Sequence, residues 1–142
     1  MELLECEISQ LLIDEQSAGQ TVILREKNGG RMLPIEIGMV EALAINNGLQ
    51  VGASPRPMTH DLLLAVLRGL GGKLERVTVN DLLAMPHGGA TFLAMLEIRT
   101  ADGHLRRIDS RPSDALALMV RIGCPLFVNE KVLQAAGMEG DL

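Results

Sequence analysis

Between Asp114 and Arg121 the chain reads Ala-Leu-Ala-Leu-Met-Val, without a polar side chain. Pro112 suits the first turn of a helix, Gly123 its C′ position, and Pro125 stops any continuation, so a helix is expected from Pro112 to about Ile122. A helix that is apolar all round must be covered all round. Two other stretches pose the same demand. Leu-Leu-Leu-Ala-Val-Leu lies between Asp61 and Arg68, and Met39 to Ile45 is interrupted only by Glu41. A chain of this length buries about 68–70% of its unfolded surface. Covering three such helices strains that capacity. The expectation is a homo-oligomer that buries at least one helix face between subunits.

The remaining segments alternate rather than run apolar. Residues 3–13 place Leu4, Cys6 and Ile8 on one side and Glu5 and Glu7 on the other, a half-buried strand. Strands 21–26 and 31–37 flank the turn signal Lys27-Asn-Gly-Gly30, and Pro34 marks the second as an edge or a bulge. A short helix stopping at Gly48, a loop over 50–57 and a helix over 58–72 follow. Strands are expected over 73–83 and 90–100, with Phe92, Ala94, Leu96 and Ile98 on one face of the second. A turn at 101–103 leads into a strand over 104–110. A short buried strand at 125–129 and a short helix ending at Gly137 close the chain. Strands and helices mix without strict βαβ alternation, so the fold class is α+β, one domain over 1–142, with a mostly antiparallel or mixed sheet.

Charge narrows the function. The formal net charge is -5. That opposes tight non-specific binding of nucleic acid, which rests on phosphate neutralisation by excess Lys and Arg. Phe92 and Phe127 are the only aromatic residues, so base stacking has little to work with. Cys6 and Cys124 show no metal-ligand spacing and read as small buried thiols. The acidic start is no signal peptide and no apolar run nears the ~20 residues of a membrane span, which leads us to expect a soluble cytoplasmic protein.

Two polar knots share one grammar. Arg56-Pro57 precedes Thr59, His60 and Asp61. Arg111-Pro112 precedes Ser113 and Asp114. Each Asp lies seven residues before an Arg, Arg68 and Arg121, about 10 Å along a helix and too far for easy pairing within it. Acid in the first turn and cation in the last complement the helix macrodipole, and Ser110, Thr59 or a neighbouring residue would serve as cap. The repetition suggests more: two antiparallel helices pairing Asp61 with Arg121 and Asp114 with Arg68.

Three segments together, residues 33–45, 55–63 and 108–121, resemble the motifs of the bifunctional nuclease domain family in content, order and spacing. The likeness spans about residues 3–138. It implies a compact α+β domain, usually oligomeric, with nuclease activity on DNA and RNA. By motif, Glu41, Arg56, Thr59, His60, Asp61, Asp109, Arg111, Ser113 and Asp114 carry over. Glu36 and Leu93 depart from the pattern where the family tends to an aromatic residue.

These residue types suit phosphodiester cleavage. Glu41, Asp61, Asp109 and Asp114 are candidate ligands for Mg²⁺ through carboxylate oxygens and water. His60, Asp61, Asp109 and Asp114 are the candidate catalytic groups, His60 because imidazole titrates near neutrality. Arg56 and Arg111 suit phosphate binding, with Thr59 and Ser113 beside them. His87 and His104 read as solvated loop or strand-end residues. Two other readings stay open: a non-enzymatic oligomeric scaffold in which the same polar network is structural, and a small-anion site at the helix amino ends.

Overall fold

The structure is a computed structural model that describes residues 1–50 and 54–139. It contains β1 (Leu3–Leu12), β2 (Gln20–Glu26), β3 (Met32–Ile37), α1 (Met39–Leu49), α2 (Thr59–Gly69), β4 (Lys73–Ala84), β5 (Ala90–Arg99), β6 (Leu105–Ser110), α3 (Pro112–Ile122), β7 (Leu126–Asn129) and α4 (Glu130–Ala136). Part of the loop expected over 50–57 lies outside the described residues. The α+β expectation holds.

The strands form one seven-stranded curled sheet in the order β3-β2-β1-β7-β4-β5-β6. Neighbours are antiparallel except β4 and β7. Pro34 sits in β3, an edge strand, where its missing N–H costs no ladder bond. The pleat sorts the side chains. Cys6, Val22, Leu24, Leu33, Val77, Val79, Ala94, Leu96, Leu126 and Val128 fill the inner face. Across the other face Arg76, Glu97 and Arg107 stand directly opposite one another on β4, β5 and β6 and pair, with Glu97 buried between the two guanidinium groups.

Helix α3 is the central element of the inner layer. Pro112, Ser113 and Ala115 to Met119 are buried, packed between α1 and the β4–β5 region. Its all-round apolar surface is therefore covered within one chain. Gly123 takes φ 75 in the left-handed region, the conformation that C′ requires, and donates to the Met119 carbonyl.

The other two helices are covered on one side only. None of the residues of α2 is buried, and Leu62, Leu63, Val66 and the following Leu70 stay exposed, as do Val40 and Leu43 of α1. Helix α2 runs antiparallel to β6. Its amino end lies beside Asp114 at the start of α3, and Gly71 at its carboxy end abuts Ala101 in the β5–β6 turn. Among the described residues no helix is long and apolar enough to cross a membrane.

Candidate active site

Helices α1, α2 and α3 each place an acid at the third helical position: Glu41, Asp61 and Asp114. That position favours carboxylates, because it faces the unpaired N–H groups and the positive end of the macrodipole. The three acids nonetheless have different partners.

Asp61 is spent on structure. Its Oδ2 accepts from the Met58 N–H at 2.8 Å, and its Oδ1 from Arg121 Nε at 2.7 Å. These bonds hold its carboxyl below the ordinary range. Arg121, 8% exposed, also donates to the carbonyls of Ala44 and Ala117 at 3.0 and 2.7 Å. One guanidinium thus ties α1, α2 and α3 together. Of the two cross-helix pairs expected from sequence, Asp61 with Arg121 forms. Asp114 with Arg68 does not: Asp114 is held by closer partners, and Arg68 makes no ion pair among the described residues. Capping falls to the neighbouring residues. Met58 and Arg111 are the N-cap residues, Thr59 is the first helical residue, and Ser110 Oγ donates to the Arg111 carbonyl.

Asp114 anchors the second arrangement. Its Oδ1 lies 3.0 Å from His60 Nε2, and Arg111 donates to both of its oxygens, Nε at 2.8 Å and Nη2 at 3.1 Å. Arg111 Nη1 reaches Glu41 Oε2 at 3.5 Å. Glu41 folds back over Gly38, where an added Cβ would collide with its carboxyl oxygen. Burial pushes the Asp114 carboxyl up, but the hydrogen bonds from Arg111 and His60 outweigh it and bring it below the usual range. Asp114 in turn holds the Arg111 guanidinium above its ordinary value. His60, Asp114, Arg111 and Glu41 form one line of polar contacts from α2 to α1.

This line stands at one end of a groove of about 850 Å³ between α2 and the β5–β6 surface. Leu63, Leu67, Leu96, Ile98 and Ile108 make most of its walls. Ser113 is buried between this groove and a second cleft of about 420 Å³ beside Glu36 and Phe92, and its hydroxyl has no hydrogen-bond partner among the described residues. Thr59 is exposed on the groove rim. Arg56 is exposed and makes no ion pair among the described residues.

Asp109 does not join the polar line. It borders the groove between Ile108 and Ser110, but it faces Met95 across the β5–β6 ladder, and the pleat turns its side chain to the opposite side of the strand from theirs. It makes no ion pair or hydrogen bond among the described residues.

The four acids therefore do not form the expected metal cage. Glu41 and Asp114 meet only across the Arg111 guanidinium, Asp61 is committed to Arg121, and Asp109 lies on the other face. Among the described residues no group of three or more His, Cys, Asp or Glu is placed to hold a metal ion. This donor set does not fit Mg²⁺ as arranged.

Several groove residues were not anticipated. Ile108 and Leu63 line the groove while remaining partly exposed. The one signal in sequence was an isoleucine inside the otherwise charged run Arg106-Arg107-Ile108-Asp109. Cys6 is buried as expected, whereas Cys124 is only half-buried, and burial pushes the thiols up to about 12 and about 11.

Residues 22–141 match the Bifunctional nuclease domain. Two proteins of Mycobacterium tuberculosis, "Uncharacterized protein MT1877" of strain CDC 1551 and "Uncharacterized protein Rv1829" of strain H37Rv, are each 42% identical over 125 residues. That alignment covers 87% of this chain and 71% of each relative.

Proposed function

Because the chain belongs to the bifunctional nuclease domain family, we propose that it cleaves phosphodiesters of RNA or DNA at the His60–Asp114–Arg111 end of the groove. The observation that carries this reading is the contact of His60 Nε2 with Asp114 at 3.0 Å beside a two-bond Arg111 grip on the same carboxylate. A carboxylate on one ring nitrogen fixes the imidazole in place and favours the proton there. With Nε2–H directed at Asp114, the lone pair sits on Nδ1.

In the cleavage step His60 Nδ1 takes the proton of an attacking water. The water oxygen bonds to phosphorus as the bond from phosphorus to the leaving sugar oxygen breaks. The leaving oxygen takes its proton from the imidazolium or from solvent. Arg111 keeps 63% of its side chain exposed while anchored by two acids, which leaves donors free for a phosphate oxygen. Arg56 adds a second positive charge near the same helix end. Mg²⁺ at Glu41 and Asp114 would require Arg111 to move aside, so the step is assigned to side chains of the chain itself.

The test is cleavage of labelled RNA and DNA oligonucleotides by purified protein. His60→Ala and Asp114→Asn should each lower the rate by about 10²-fold or more, with thermal melts showing intact folds. A chelator should leave the native rate within about twofold. Undiminished cleavage by His60→Ala would remove the site, and activity that does not co-purify with the chain would remove the reaction.

A second reading is favoured by the pairing of Glu41, Asp61 and Asp114 with arginines and by the apolar groove walls. In it the network is structural and the protein is a homo-oligomeric scaffold. A chain without cleavage activity, in which Asp114→Asn lowers the melting temperature, supports that reading.

A further inference from the structure

Strand β6 ends the sheet, with β5 on one side and no strand on the other among the described residues. Such an edge displays unpaired backbone groups and is a ready template for another strand. The ladder shows which residues supply them. Thr100 N–H donates to the His104 carbonyl at 2.8 Å, and in the same register Ile98 faces Arg106, Leu96 faces Ile108 and Ala94 faces Ser110. Antiparallel ladders alternate between bonded and non-bonded pairs. Arg106, Ile108 and Ser110 therefore exchange backbone bonds with β5, while Leu105, Arg107 and Asp109 direct theirs outward.

We propose that this edge is a dimer interface, in which β6 pairs antiparallel with β6 of a second copy about a two-fold axis through Ile108. The register follows from charge. With the axis at Ile108, Arg107 of each copy lies opposite Asp109 of the other, and Arg106 opposite Ser110. The outward-directed backbone groups of 107 and 109 meet as two bonded pairs. A shift of the axis to residue 107 would oppose two arginines, and a shift to 109 two aspartates, and opposed like charges destabilise a sheet. The axis at 108 avoids both.

Two features of the single chain fit this pairing. Asp109 is exposed and has no ionic partner among the described residues, although it sits one rung from the Arg76–Glu97–Arg107 ladder, where the acid is shared by two arginines. Ile108 is 46% exposed on the opposite face, at the open rim of the apolar groove, with Leu63, Val66 and Leu70 of α2 exposed nearby. In the dimer the two Ile108 side chains meet in a non-bonded pair, where cross-strand side chains approach most closely. The open rim of each groove is then covered by the other copy. This interface does not depend on the cleavage chemistry proposed above.

Sedimentation velocity across a concentration series tests it. The native chain should be dimeric, and Asp109→Arg should raise the dissociation constant at least about tenfold, since it opposes two arginine pairs. The double change Arg107→Asp with Asp109→Arg exchanges the signs and should restore the dimer, with Arg76 still neutralising Glu97. Independently, Ile108→Cys should form an intersubunit disulfide under mild oxidation, and Arg106→Cys should not. A native chain that stays monomeric at the highest concentration overturns the proposal. So does an oligomer that Asp109→Arg leaves unchanged while Ile108→Cys fails to cross-link.

Discussion

Glu41, Asp61 and Asp114 occupy the same position in their helices, yet their neighbours give them separate tasks. Asp61 binds the N-cap N–H and Arg121, and Asp114 binds His60 and Arg111. The Asp61 pairing has a pH signature. The folded-state value of Asp61 is depressed by the Met58 N–H and the Arg121 guanidinium. Its contribution to stability is therefore fully present above the unfolded carboxylate value of about 3.9 and lost as pH falls through the lower folded value. Thermal melts should show Asp61→Asn less stable than the native chain at pH 7. The gap should narrow as pH drops below about 4. A gap that stays constant from pH 7 to pH 3 would show that the Asp61 pairing contributes nothing.

At the scale of elements, α2 is the piece with the weakest hold on the rest. It has no buried residue, and besides the packing of half-buried Leu64 and Leu67 on the core it is held at its two ends. The amino end is fixed by Asp61 to Arg121 and by His60 to Asp114. The carboxy end closes in a Schellman turn: Gly72 N–H donates to Leu67 and Gly71 N–H to Arg68. Gly71 holds φ +82, and a Cβ there would stand 2.7 Å from the Ala101 Cβ. Gly71→Ala should therefore destabilise the chain by about 1–2 kcal/mol in urea unfolding, from the left-handed backbone and the displaced β5–β6 turn together. Hydrogen exchange should show α2 opening before α3, whose apolar residues are buried along most of its length. Equal protection of the two helices would contradict this order.

For the molecule as a whole, charge and shape pull in different directions. The net charge is -5, and the groove that ends at His60 is walled mostly by leucine and isoleucine. Nucleic acid held here would have few cations to bind it. If Arg56 and Arg111 are the phosphate contacts, counterion release should give a shallow salt dependence. A log–log slope of affinity against salt between about −1 and −2 is expected for a single strand. A slope of −5 or steeper would place the binding surface elsewhere. The proposed β6 pairing would set a second copy beside the exposed Leu63, Val66 and Leu70 of α2.

Local physics made much of this legible in advance. The strand alternation from Leu3, the proline edge strand, the glycine after α3 and the apolar run of α3 all follow from covalent geometry and from periods of two and 3.6 residues. Such rules act within a few neighbours, so the α+β class and most boundaries could be read from the residues. The motif-bearing segments likewise identified the family before any geometry was known. Which charges meet was legible only in part, because most of the partners are chosen by helix packing across more than fifty residues. Asp61 and Arg121 met as their spacing suggested, whereas Asp114 went to His60 and Arg111 because those groups lie nearer than Arg68. Asp109 was separated from the other acids by one step of the β6 pleat, a difference that only its pairing with Met95 decides. The sequence determined the elements and the family, since those are local patterns. The tertiary structure alone decided that Glu41, Asp61 and Asp114 pair with arginines rather than gather with Asp109 into a cage, since these contacts depend on distances of a few ångströms set by how the helices pack.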